Sequence, residues 1–222
     1  KTVYGRFSSR SDRKDATKEI TLEGFRKALE AALDLHKGYP ANKASLAGKQ
    51  PLPPRFKSPE EYPSLRGKYQ ATLDYEGKVV QSCMHCHQVR EAERTFFRAD
   101  GKPIPDEVLY PWPMLEAVGL SLDPNEKARV KDVSPGSSAE KDGYKPNDEI
   151  LKLGGQPLLS IADVQWVLHG APSQGTLKAE ILRGAKKIEL DLTLGEGWRT
   201  GIDISWRVTS WDLRRMASGG LV

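Results

Sequence analysis

Residues 133–158 read VSPGSSAEKDGYKPNDEILKLGGQPL. The turn at Pro135-Gly136-Ser137, Gly143, the Pro146-Asn147-Asp148 group and the Gly154-Gly155 pair break this stretch into short pieces. Breakers this dense leave room for strands of a few residues joined by tight turns, not for long helices. Downstream, residues 161–169 (IADVQWVLH) read as a helix with Ser160 as its N-cap. Residues 176–194 (TLKAEILRGAKKIELDLTL) follow as a hairpin turning at Arg183-Gly184-Ala185.

Upstream the texture differs. Residues 2–7 (TVYGRF) alternate and predict a short strand. Residues 21–37 predict an amphipathic helix with Thr21 as N-cap, Gly24 as a weak point inside it, and Leu22, Phe25, Leu29, Ala32 and Leu33 on one face. Gly38 and Pro40 end it. A lone strand and helix bury little, so this piece is expected to complete a domain supplied from upstream or by a partner. Residues 39–60 are rich in Pro, Lys and Ser and read as an extended linker. A short helix around residues 62–69 follows, and residues 75–82 (YEGKVVQS) offer a strand ahead of the cysteines. A second helix carries Val89, Ala92 and Phe96 and stops at Gly101, and a Pro-studded loop carries Leu109, Tyr110, Trp112 and Met114.

The totals set outer limits. The 222 residues are 38 % hydrophobic and 29 % charged, which fits a globular chain of one or two domains. A net charge of +4, with acidic and basic residues interleaved, gives no nucleic-acid footprint. No apolar run reaches the ~20 residues that span a bilayer. No repeat of fixed period is present. The first residues lack the charged and apolar regions of a signal peptide, so an exported chain is expected to be processed or truncated.

The two cysteines stand together in CMHCH, residues 83–87. Random placement would give C-x-x-C-H roughly once in six thousand chains of this composition. Three chemistries suit the spacing. A zinc site needs four ligands, and His36 and His169 lie in separate segments. A dithiol at the start of a helix would be a redox pair. A covalent haem c uses the whole motif: Cys83 and Cys86 hold the porphyrin and His87 ligates the iron, while His85 points away. Met114 is then the expected second axial ligand, with His36, His169 and Met216 in reserve, and Phe96, Phe97, Tyr110 and Trp112 wall the ring. The expectation is one haem c passing single electrons.

The string from Pro135 to Pro157, with its P-G-S-x-A turn, Gly143, Pro-x-Asp and Gly-Gly motif, resembles a PDZ domain of the bacterial periplasmic-protease type over about residues 115–195. The resemblance implies capture of C-terminal peptides by strand addition. It puts the carboxylate loop at Val118-Gly119-Leu120 and gives a groove helix presenting Val164, Val167 and Leu168. The whole chain is also similar to a bacterial family of thioredoxin-like/PDZ (seleno)proteins, through stretches such as LEGFRKALEAAL, LDYEGKVVQSCMHCHQVR and PIPDEVLYPWPM. That similarity implies an α+β multidomain chain: residues 1–38 the end of a thioredoxin-like domain, 39–60 a Pro-rich linker, 61–114 a small, mainly helical haem c segment, 115–195 a β-barrel-like PDZ domain and 196–222 a Trp-rich extension. The expected function is a periplasmic monohaem cytochrome, an electron-transfer or assembly subunit rather than an enzyme. Its expected partners are proteins in the PDZ groove, redox donor and acceptor proteins and a membrane complex, with no nucleic acid. The alternatives are a thiol-disulfide redox protein using Cys83 and Cys86, a PDZ adaptor with a structural haem, and a haem enzyme with an open sixth position.

Overall fold

The computed structural model describes residues 2–8, 20–51, 53–69, 72–77 and 79–207, with Ser210, Trp211 and Leu213. Met216 lies outside them. The chain is α+β and divides into two compact units. One is Lys1–Pro51 with Trp112–Ile202, the other Leu52–Pro111 with Asp203–Val222. Its helices are α1 (Leu22–Lys37), α2 (Val79–Ser82), α3 (Cys86–Ala99), α4 (Asp106–Leu109), α5 (Ser138–Lys141) and α6 (Ile161–His169). Its strands are β1 (Leu120–Leu122), β2 (Val130–Val133), β3 (Glu149–Leu153), β4 (Gln156–Pro157), β5 (Gly175–Arg183) and β6 (Lys186–Leu194).

In the first unit every strand pairing is antiparallel. β1 pairs with β2, and a four-stranded sheet runs in the order β4-β3-β5-β6. The period-2 pattern decides which face is buried. Ala179 and Ile181 of β5 and Leu192 and Leu194 of β6 join Ile150 and Leu153 of β3 in one core. α6 closes that core with Val164 and Leu168, both 0 % exposed. The short strands follow from the turns: Gly136, Gly143, Gly154, Gly155 and Gly184 all have positive φ, a backbone state that glycine adopts without a Cβ clash. Arg183, the last residue of β5, fastens the Pro-x-Asp turn. It donates from Nε and Nη2 to the carboxylate of Asp148 at 2.7 and 2.8 Å, and from Nη2 to the Gly143 carbonyl at 2.7 Å.

α1 begins as its sequence predicts, with Thr21 Oγ1 accepting from the Gly24 amide at 3.0 Å and Gly38 as C-cap. Gly24 is more than a weak point. A Cβ there would run into the Pro124 carbonyl oxygen, to which Thr21 Oγ1 donates at 3.0 Å. Residues 2–8 carry no regular secondary structure, so the strand expected at residues 2–7 does not form. Their backbone bonds to side chains instead. Val3 exchanges hydrogen bonds with the Gln50 side chain, and the Arg6 amide donates to Asp163 Oδ1 at 3.1 Å. The expected linker is also more structured than its composition suggests. It holds a 3-10 helix, Lys43–Lys49, with Leu46 and Lys49 both 1 % exposed.

The second unit is small. Tyr62, Leu65 and Ala92 form its core, with Phe56, Val89 and Phe96 packed on them. α3 starts at Cys86 behind His85, whose amide donates to Gln88 Oε1 at 2.7 Å. Val79–Ser82 is helical rather than part of a strand, and residues 63–68 form turns rather than the expected helix.

Candidate functional site

The site is built from β1, the turn before it and α6. Leu115–Val118 make a 3-10 turn that ends at Gly119, with φ +86°. A Cβ on Gly119 would collide with Cβ and Oγ of Ser137, so this approach requires glycine. β1 then begins at once.

The ladder fixes which way β1 points its backbone. The Ser134 amide donates to the Gly119 carbonyl at 2.8 Å and the Asp123 amide to the Arg129 carbonyl at 2.9 Å. Leu120 and Leu122 lie opposite Val133 and Val130. In an antiparallel ladder these bonds flank non-bonded pairs. The N–H and C=O groups of Leu120 and Leu122 therefore face away from β2. Among the described residues no strand pairs with that edge.

Val118, Leu120, Val164 and Leu168 are brought together in one core cluster. Val167 is half-buried, 3.4 Å from a Cβ built on Gly154. Two residues of α6 that the sequence did not single out are buried and polar. Gln165 Nε2 lies 2.7 Å from Met114 Sδ and 3.4 Å from the Trp112 carbonyl oxygen. It thereby ties α6 to the segment that leads into the Gly119 turn. Gln165 falls on the helical stripe of Ile161 and Leu168, and that spacing was the available signal. Asp163, in the first turn of α6, is 1 % exposed beside Lys49. Burial raises its pKa above the ordinary carboxylate value, partly opposed by Lys49. Burial also lowers the Lys49 pKa, with Asp163 opposing. Nothing local in the sequence pairs these two.

The residues expected around a haem are divided between the units. Cys83, Cys86, His87, Phe96, Phe97 and Tyr110 belong to the second, Trp112 and Met114 to the first. Cys83 is half-buried and Cys86 exposed, both as free thiols. The half-buried His87 ring stacks on that of His85 at 5.7 Å. Phe96 makes edge contacts with Phe56 and Tyr62, and the Arg55 guanidinium lies over Phe96 and Phe97. Tyr110 caps the C-terminal end of α4. Trp112 stacks on Trp166 at 5.5 Å and lies against His169 at 4.1 Å. Met114 is 7 % exposed, its sulfur facing Gln165. Phe96, Phe97, Trp112 and Met114 thus have packing roles in their own units. Among the described residues no group of three or more His, Cys, Asp or Glu is arranged to hold a metal ion.

Comparison with known proteins agrees with the geometry of the first unit. Residues 116–194 match the family model for the PDZ domain. Among curated proteins the chain is similar to the periplasmic pH-dependent serine endoprotease DegQ of Escherichia coli K12, 35 % identical over 78 residues. That match takes in 35 % of this chain and 17 % of DegQ. It is similar also to the periplasmic serine endoprotease DegP of the same strain, 32 % identical over 89 residues, 40 % of this chain and 19 % of DegP. The chain thus spans less than a fifth of the length of either relative. A solved serine endoprotease from Yersinia pestis aligns at 25 % identity and TM-score 0.32, over 36 % of this chain and 28 % of that one. The fold is α+β with a PDZ domain at residues 116–194.

DegQ and DegP are periplasmic serine endoproteases, not cytochromes. They overturn the expectation of a monohaem cytochrome transferring electrons, and with it the haem c cofactor. The physical reason lies in the kind of signal each motif carries. Five residues at the right spacing define local geometry only. The PDZ string specifies turns, strands and a core across 79 matched residues.

Proposed function

We propose that this chain is a periplasmic docking protein whose PDZ domain captures the C-terminal segment of partner proteins. The observation that carries the reading is the free edge of β1. Leu120 and Leu122 direct their N–H and C=O groups away from β2, in position to pair with an added strand. Gly119, held against Ser137, brings backbone to the start of that edge with no side chain in the way. A peptide laid there would run beside α6, whose Gln165 is fixed through Met114. The periplasmic placement is supported by the relatives, DegQ and DegP. The assignment of residues 1–38 to a thioredoxin-like domain rests on sequence resemblance alone and takes no part in this reading.

The test is fluorescence anisotropy with a library of labelled peptides, each made with a free and with an amidated C-terminus. Binding by free-carboxylate peptides that falls at least tenfold on amidation, about 1.4 kcal/mol, supports terminal capture. A library in which no peptide distinguishes the two forms would overturn it.

A further inference from the structure

We propose that α1 is a self-association surface, through which two copies of this chain pack as an antiparallel helix pair.

α1 is amphipathic with its apolar stripe on the open side. The face it turns inward is made of small residues: Gly24 and Ala28 are buried. Leu22 is 87 % exposed, Phe25 43 %, Leu29 53 % and Leu33 54 %. At about 100° per residue, these four fall within about 80° of arc, on a different side of the helix from Gly24 and Ala28. Phe7 lies 5.1 Å from Phe25 and widens the patch. A contiguous apolar stripe on a helix of 16 residues marks an interaction surface rather than scattered exposure.

The charges beside the stripe select the occupant. Arg26 and Glu30 line the border next to Leu33. In the single chain Arg26 bonds Glu23 at 2.6 Å and also Glu30. Consider a second copy running antiparallel. If Leu22 is set opposite Leu33 of the second copy, Phe25 comes within one residue, about 1.5 Å along the axis, of Leu29 of the second copy. The same register brings Arg26 within one residue of Glu30 of the second copy, and Glu30 within one residue of Arg26 of the second copy, an offset of about 1.5 Å that these long side chains span. The surface is therefore complementary to itself, as a two-fold interface requires. The antiparallel arrangement also sets the helix dipoles in opposition. Apolar cover by an unrelated partner would need no such match of Arg26 with Glu30.

Sedimentation velocity on the 222-residue chain over a concentration series, at low salt, tests the proposal. A monomer–dimer equilibrium is expected. Leu29→Glu abolishes it, and Leu33→Gln, further along the stripe, weakens it without placing a charge in the helix. Circular dichroism confirms that both variants keep their helix. Arg26→Glu alone and Glu30→Arg alone each weaken the dimer about tenfold, because each leaves two like-charge contacts across the two-fold. The double exchange restores the wild-type constant. A monomer at every concentration overturns the proposal and leaves the stripe to a different occupant. So does a dimer indifferent to both Leu29→Glu and Leu33→Gln, or a double exchange no tighter than the single ones.

Discussion

Lys49 Nζ lies 3.1 Å from Asp163 Oδ2, and both side chains are 1 % exposed. One residue ends the 3-10 helix of the expected linker and the other stands in the first turn of α6. Asp163 also accepts from the Leu159 amide at 3.0 Å and the Arg6 amide at 3.1 Å, while Ser160 Oγ donates to the Arg6 carbonyl. The pair therefore fastens three chain segments at the head of α6. Lys49→Met strands a buried carboxylate and is expected to cost about 3–5 kcal/mol in urea unfolding. Lys49→Met with Asp163→Asn removes the stranded charge and keeps an acceptor, so it is expected to cost less than Lys49→Met alone.

The same pair predicts a pH dependence with a definite sign. Burial already holds Asp163 above the ordinary carboxylate pKa, and Lys49→Met removes the largest opposing influence. A raised folded pKa means that the folded state holds the proton more tightly. Stability of Lys49→Met should therefore be greatest below the unfolded value near pH ~4 and fall as pH rises through the folded value. Asp163→Asn in the same background should flatten that slope. A Lys49→Met protein that gains stability across this acid range would contradict the assignment.

Gly24→Ala sets two effects against each other. In a free helix alanine is favoured by about 1 kcal/mol. In α1 its Cβ would meet the Pro124 carbonyl, where Thr21 Oγ1 donates and beside which Lys27 pairs with Glu126 at 2.7 Å. The partner is backbone and yields little, so the steric cost of about 1–3 kcal/mol wins. Thermal unfolding should show a net loss, and amide exchange should speed up in α1 ahead of β5 and β6.

Much of the first unit was legible because its signals are local. Ser160 caps α6 through the Ala162 amide at 3.1 Å, and the hairpin turns at Gly184, as the sequence predicts. Where side chains acted across distance, the sequence was silent. The alternation of Thr2–Phe7 predicts a strand, yet its Val3 and Arg6 backbone is taken by Gln50 and Asp163 side chains. Lys49 reads as one more linker lysine, and only its burial shows otherwise. Leu22, Leu29 and Leu33 have the right spacing for a core-facing stripe, but α1 packs instead by Gly24 and Ala28. The C-x-x-C-H spacing predicted haem ligation, yet Met114 sits against Gln165 and the relatives are proteases. Gln165 was missed because a polar residue on the stripe of Ile161 and Leu168 reads as a gap in it, and only its contact with Met114 shows that the amide is buried.

Arg183 is expected to be irreplaceable by lysine. Its fork spans both oxygens of Asp148, which is 1 % exposed, and its Nη2 reaches the Gly143 carbonyl as well. The hydrogen bond it donates to Asp148 raises its pKa above the ordinary guanidinium value. A lysine offers one point charge and cannot bridge both sites. Arg183→Lys should lose about 1–3 kcal/mol. Arg183→Met should lose about 3–5 kcal/mol, because the buried Asp148 carboxylate is then left with the Lys145 amide at 2.9 Å. Chemical denaturation of the two variants gives both figures, and an Arg183→Lys protein as stable as the parent would show that the fork geometry is immaterial.

Strand addition to β1 makes a residue-by-residue prediction for amide exchange. The Ser121 amide lies on the β2 side of β1 and is protected whether or not a ligand is bound, since Ser121 pairs with Asp132. The Leu120 and Leu122 amides face the other edge. A bound peptide should slow exchange at Leu120 and Leu122 by about tenfold or more, which corresponds to about 1.4 kcal/mol per added hydrogen bond, and leave Ser121 nearly unchanged. Gly119→Ala forces Cβ against Ser137 at a positive φ, so it should disturb the start of that edge and weaken peptide binding by at least tenfold. Leu194, at the far end of β6, should keep its protection in that variant. Slowing at Ser121 with none at Leu120 or Leu122 would place the ligand elsewhere, because on β1 it is the Leu120 and Leu122 groups that turn away from β2.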